Sequence, residues 1–152
     1  MFREYDIRGR ENDEELNDLT IAFITLAFGT MLKQRDIATA IVGSDARASS
    51  GRFHQIAITN LNAAGIKVID IGTVTTPMSY WAQYYFNTLG LVMITASHNP
   101  AGWNGLKLGT GLSKTLLQEE ISELYKITKD LLEKKIIPQG VRSVQKEAIL
   151  DA

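Results

Sequence analysis

Thr95-Ala96-Ser97-His98-Asn99-Pro100 puts a hydroxyl nucleophile, an imidazole, a carboxamide and a proline turn into six residues. They come directly after the apolar run Leu89-Gly90-Leu91-Val92-Met93-Ile94. The end of a buried strand is where α/β proteins place their chemistry. A serine there can be a nucleophile, a phosphate acceptor or an ordinary turn former. His98 can move protons near neutral pH. Asn99 can fix the loop or take a positive φ, and Pro100 stiffens its exit. Gly102-Trp103-Asn104-Gly105-Leu106-Lys107 follows, adding a flexible turn and a cation able to neutralise phosphate charge.

Several chemistries are excluded or weakened. The flanking glycines of a nucleophile elbow are missing around Ser97, and no acyl-transfer triad is evident. Gly109-Thr110-Gly111-Leu112-Ser113-Lys114-Thr115 superficially resembles a phosphate-binding P-loop, but Ser113 stands where that pattern needs glycine before the lysine. It reads as a turn leading into the last helix. Carboxylates are plentiful on the helices but show no clustered metal-ligand spacing. The absence of cysteine removes disulfides, thiolate metal sites and a cysteine nucleophile. His54 reads as a surface or packing residue. Arg8 and Arg47, each beside a glycine or a short polar turn, are candidates for binding an anion.

These groups need elements to carry them. The stretch from Phe2 to Gly9 reads as a short extended segment. Asp13, Glu14 and Glu15 offer the cap and negative charge of a helix carrying Leu16, Leu19, Phe23, Leu26, Ala27 and Met31 at helical spacing. Residues 39–43 and 66–72 read as strands, as does the run from Leu89 to Thr95. Gly105 to Leu108 reads as a short fourth strand in a hairpin-like return. A helix over residues 51–64 closes on Gly65. Another opens at Thr75-Thr76-Pro77 with proline in its first turn. The last clear helix spans residues 116–133, its glutamates early and lysines late. Helices alternating with short apolar strands predict a three-layer α/β/α sandwich with a mostly parallel mixed sheet of about four strands.

A chain of 152 residues, 45% hydrophobic and 22% charged, has the composition of a soluble globular domain. A net charge of -1 gives no nucleic-acid footprint. The N-terminus is too charged for a signal peptide. The apolar stretch 19–32 falls short of the roughly 20 residues that span a bilayer, so it reads as a core helix and no membrane contact is expected. The expected location is cytoplasmic.

Three motifs together resemble the α-D-phosphohexomutase superfamily, in its phosphomannomutase/phosphoglucomutase branch. They are Phe2-Arg3-Glu4-Tyr5-Asp6-Ile7-Arg8-Gly9, then Val42-Gly43-Ser44-Asp45-Ala46-Arg47-Ala48-Ser49-Ser50, then Thr95 through Lys107. They stand in the family's order. The resemblance implies that a phosphate passes between the 1-OH and 6-OH of a hexose through a bisphosphorylated sugar, with Ser97 as the phosphate carrier. It implies that His98 contacts substrate or phosphoryl group, and that Lys107 acts at the reacting oxygen as charge stabiliser or proton shuttle. Tyr5 and Arg8 would approach the active site, Arg47 would hold the serine loop or its phosphate, and Asn99 would support the loop. Mg²⁺ is the implied cofactor, bound to Ser97 through its phosphate. Trp103 receives no role. Ser44 departs from the pattern, since many relatives carry arginine there.

The resemblance covers only the family's first domain. Residues 1–135 are expected to form it, and residues 136–152 to be a linker towards a second domain that this sequence does not include. The magnesium, sugar-specificity and second phosphate loops are not in the sequence. The expected partners are therefore a hexose phosphate and the remaining domains of the same polypeptide, and the chain alone is expected to be inactive. The competing readings are a stand-alone anion- or phosphosugar-binding α/β module without catalysis, and a structural α/β domain with an incidental serine.

Overall fold

The computed structural model describes residues 1–136 and 144–146. In chain order the elements are β1 (Ile7–Arg10), α1 (Asp18–Gln34), β2 (Thr39–Ser44), α2 (Ser50–Ala63), β3 (Lys67–Thr73) and α3 (Thr76–Tyr85). There follow β4 (Gly90–Ile94), β5 (Trp103–Gly111), β6 (Lys114–Thr115), α4 (Gln118–Glu133) and β7 (Val144–Lys146). Of the expected linker, residues 137–143 and 147–152 lie outside the described residues, while 144–146 form β7 beside β3.

The strands form one sheet in the order β1-β5-β4-β2-β3-β7, with β6 paired to β5. Strand β2 runs parallel to β3 and β4, and β3 parallel to β7. Strand β5 is antiparallel to both β4 and β1. The mostly parallel mixed sheet is therefore present, but with seven strands instead of about four. The N-terminal extended segment joins as β1. The stretch read as a turn is in fact the end of β5 and its hairpin to β6. Glycines obscured that pattern: Gly105, Gly109 and Gly111 break the apolar alternation that would mark a strand.

Side chains alternate between two cores, as strand geometry requires. Val42, Val68, Val92 and Ile94 pack into one cluster with Phe28, Phe53 and Leu124 of α1, α2 and α4. Ile41, Ile69, Ile71, Leu91 and Met93 point the other way, towards Ala82, Met78 and Phe86 of and beside α3. Every residue of β4 is buried, which is why it reads as a continuous apolar run. These are the three layers of the expected sandwich.

Helix α1 starts later than the acidic stretch suggests. Its N-cap is Asn17, whose side chain accepts from Leu19 N and Thr20 N, both at 3.1 Å. Thr20 Oγ1 accepts Asn17 N–H in return at 2.9 Å, a reciprocal cap. Glu14 and Glu15 instead turn around Asn12, whose Oδ1 accepts both of their backbone N–H groups. Helix α1 lies between α2 and α4 and so buries several sides, including Ile21, Phe23, Leu26 and Phe28.

Candidate active site

The loops after β2, β3 and β4 leave the same end of the sheet, because these strands are parallel. That end is where open α/β sheets bind ligands. Ser97 sits there exposed, two residues beyond the buried Thr95. Its backbone is left-handed, φ 56°, a conformation costing a residue with a Cβ about 1–2 kcal/mol. Local bonds hold it: Ser97 N–H donates to Thr95 Oγ1 at 2.9 Å, and Asn99 N–H to Ala96 O at 3.1 Å. The result turns Ser97 Oγ outward, 3.3 Å from His98 Nδ1.

Arg47 locks this loop from β2's side. Nη1 donates to Pro100 O and Trp103 O, both at 3.1 Å. Nη2 donates to Ser97 O at 3.0 Å and Asn99 O at 2.6 Å. Nε faces Asp45 Oδ2 at 3.3 Å. A guanidinium has five N–H donors; four of these donate to loop carbonyl oxygens and Nε is ion-paired with Asp45. Arg47 therefore holds the loop and has no donor left for a phosphate in this arrangement.

The remaining cations come from β1 and β5. Lys107 stands opposite Met93 in the β4–β5 register, and Arg8 opposite Gly105 in the β1–β5 register. Both therefore lie on the α3 face. Arg8 Nη1 donates to Asn99 Oδ1 at 2.9 Å. Arg8 Nε and Nη2 engage Asp6 Oδ2 at 2.8 and 2.6 Å, and Lys107 Nζ lies 3.5 Å from the same oxygen. Beside Ser97 opens a cavity of about 580 Å³. Thr73, Thr75, Thr76, Thr95, Met78 and Met93 are among the residues that line it.

The arrangement is an exposed hydroxyl on a strained, bolted loop, with an imidazole beside it and an arginine and a lysine tied to the loop through Asn99 and Asp6. Such cations stabilise charge on a transferring phosphoryl group. Residues 1–135 match the family model for phosphoglucomutase/phosphomannomutase, alpha/beta/alpha domain I. The chain belongs to this family. It is 39% identical over 120 residues to the phosphoglucomutase/phosphomannomutase of Thermococcus kodakarensis, covering 75% of this chain and 26% of that protein. It is 35% identical over 150 residues to the phosphomannomutase/phosphoglucomutase of Pseudomonas aeruginosa, covering 99% and 31%. The crystal structure of a phosphoglucomutase/phosphomannomutase family protein from Burkholderia thailandensis superposes with TM-score 0.85 at 27% identity, covering 99% of this chain and 33% of that one. The chain thus spans about a quarter to a third of the length of these relatives.

Within this domain I, Ser97, His98, Asn99, Arg47, Arg8 and Lys107 form one connected set, with Asn99, Arg8 and Asp6 as links. Tyr5 is not brought in: it is 58% exposed and makes no hydrogen bond among the described residues. Asp6 was missed as a site residue, although it lies inside the first motif. It is the buried carboxylate that holds both Arg8 and Lys107. His54 is buried against Asp70, Nε2 to Oδ1 2.7 Å, far along the chain from the loop.

The donor set does not fit a magnesium ion by itself. Mg²⁺ requires near-octahedral oxygen ligation. The two carboxylates near Ser97, Asp6 and Asp45, are committed to guanidinium groups. Among the described residues no cluster of three or more His, Cys, Asp or Glu side chains is placed to hold a metal. No helix among the described residues is long and apolar enough to cross a membrane.

Proposed function

We propose that this chain is the phosphoserine domain of a cytoplasmic phosphohexomutase that interconverts hexose 1-phosphate and hexose 6-phosphate. The observation that carries the reading is Ser97: an exposed hydroxyl held at φ 56° by an arginine with no donor to spare. A cation-rich site without an acyl-transfer triad suits phosphoryl transfer. The names of the relatives support the same reaction class.

In the forward half-reaction a sugar hydroxyl attacks the phosphorus on Ser97. The Ser97 Oγ–P bond breaks as the new P–O bond forms, and the sugar proton leaves to a base. Ser97 departs as an alkoxide that takes up a proton. His98, 3.3 Å away, is placed to supply it. Lys107 and Arg8 offset charge building on the phosphoryl oxygens. The bisphosphorylated sugar then turns over and returns its other phosphate to Ser97 by the reverse steps.

The match to domain I covers residues 1–135, and on this reading further domains of the family complete the site. Those domains would furnish the magnesium ligands that the residues here do not. The isolated 152-residue chain should show no appreciable mutase turnover. The test is intact mass and peptide mapping of the purified complete polypeptide, with mutase assays of wild type and Ser97→Ala. Phosphate on Ser97 and near-complete loss of turnover in the variant are expected. An unphosphorylated Ser97 with a fully active Ser97→Ala protein would sink the reading and favour a non-catalytic binding module.

A further inference from the structure

The loop that presents Ser97 is held by Arg47, and Arg47 is itself held by a buried polar relay that begins on β5. Asn104 is fully buried. Its Nδ2 donates to Ser49 Oγ at 2.7 Å and to Ser50 Oγ at 3.0 Å. Its Oδ1 accepts from Gly105 N–H at 2.8 Å. An amide nitrogen can only donate, so each serine hydroxyl accepts from Asn104 and must send its own proton elsewhere. Ser50 donates to Asp45 Oδ1 at 2.5 Å, and Ser49 to Glu11 Oε1 at 2.6 Å.

The two limbs differ in what lies at their ends. Asp45 Oδ1 also accepts Arg47 N–H at 3.1 Å, while its Oδ2 faces Arg47 Nε at 3.3 Å. The Ser50 limb therefore fixes the carboxylate that aims the guanidinium at Ser97 O, Asn99 O, Pro100 O and Trp103 O. The Ser49 limb ends on the Glu11 side chain. Among the described residues, Glu11 hydrogen-bonds the loop only through its backbone N–H, which donates to Gly102 O at 2.8 Å.

We propose that Asn104 is a positioning residue: through Ser50, Asp45 and Arg47 it sets the left-handed backbone of Ser97 and thus the aim of its hydroxyl. The proposal rests on the phosphoryl-carrier reading of Ser97. The relay is directional, so its polarity matters as much as its shape. Asn104→Asp keeps the shape but removes both donors and places a third carboxylate against hydroxyls already pointed at two others. Buried networks lose most when one member is left unmatched.

The test compares Asn104→Asp, Ser50→Ala and Ser49→Ala in the complete polypeptide. Two readouts are taken: hydrogen–deuterium exchange of backbone amides 96–103, and the rate of phosphoryl transfer between Ser97 and a hexose bisphosphate. Asn104→Asp and Ser50→Ala should speed exchange in the loop, leave β2 and β4 protected, and slow transfer by about 100-fold, the scale of a misplaced reacting group. Ser49→Ala should leave both readouts near wild type. Should Asn104→Asp fail to fold, the two serine variants alone decide the matter. Unchanged loop exchange in Ser50→Ala, or equal effects of the two serines, overturns the proposal. Selective loosening through Ser50 in a wild-type protein that transfers no phosphate leaves the relay standing and fells the carrier reading instead.

Discussion

Arg47 Nη2 donates to the carbonyl oxygen of Ser97 at 3.0 Å, across 50 residues of sequence. This bond, with its neighbours at Asn99, Pro100 and Trp103, makes the serine loop an extension of the β2–α2 turn. Arg47→Lys keeps the charge and loses the fork. A lysine has three donors on a flexible stem and cannot span four carbonyl oxygens and a carboxylate. Phosphoryl transfer involving Ser97 should fall by about 100-fold, with little change in the affinity for hexose phosphate. Steady-state kinetics separating kcat from KM check this. A variant impaired only in KM would show that Arg47 binds substrate after all.

Ser97 bears its left-handed φ of 56° without being glycine. On the proposed reading, removing the hydroxyl as Ser97→Ala or as Ser97→Gly should abolish phosphate acceptance in both cases. The two variants should differ in stability. Glycine meets no Cβ penalty there, although it loses more chain entropy on folding. Ser97→Gly should therefore be the more stable, by up to about 1 kcal/mol. Urea unfolding of the two proteins measures the difference. Equal midpoints, or a more stable alanine variant, would mean the loop relaxes out of the left-handed region once the hydroxyl is gone.

Arg35 at the end of α1 binds α4 through Glu120 Oε1 at 2.8 Å and Glu123 Oε2 at 2.9 Å. Burial works to raise the Glu120 carboxyl. The Leu117 backbone N–H, the charges of Arg35 and Lys114 and the Arg35 hydrogen bond outweigh it and hold the group below its ordinary value of 4.5. A carboxyl depressed by folding adds stability above its unfolded pKa, and that contribution is lost as pH falls through the folded value. Glu120→Gln keeps a side-chain oxygen that can accept the Leu117 N–H but removes the charge. It should be less stable than wild type at neutral pH, with the gap closing as pH drops below about 4.5. Thermal unfolding at several pH values tests it; a gap that persists in acid would assign the effect to packing.

How much of this was readable from the chain depends on the range of the interactions. Strand β4 announces itself because both of its faces are covered, so Leu91, Val92, Met93 and Ile94 need no polar alternation. Ser97 and its neighbours were legible as a motif of chemistry at the end of that strand. Asn17 was not legible as the cap of α1, because three acidic residues before it fit the same rule and only the Asn12 turn disqualifies them. Asp6 and Asn104 were invisible for a different reason. Each acts through partners distant in sequence, Lys107 for one and Ser49 and Ser50 for the other. A lone aspartate or asparagine carries no local sign of that. The left-handed backbone of Ser97 was equally hidden, since the pattern marks Asn99 as the residue suited to positive φ.

Gly105 packs directly against the β1 backbone, and it ties stability to the site. A Cβ added there would strike the carbonyl oxygen of Ile7, which is backbone and cannot rotate away. It would also meet Arg8 Cγ and the Thr95 carbonyl oxygen, each at 3.1 Å. Gly105→Ala should thus push β1 off β5 and destabilise the protein by about 1–3 kcal/mol, the usual range for overpacking. The displacement also moves Arg8 away from Asn99 and disturbs the bond from Thr95 N–H to Gly105 O, now 2.9 Å. Phosphorylation of Ser97 should then fall even at temperatures where the variant is fully folded. Circular dichroism melts paired with phosphoserine stoichiometry at low temperature separate the two effects. A folded variant that still carries full phosphate on Ser97 would show that the serine loop does not depend on the seating of β1.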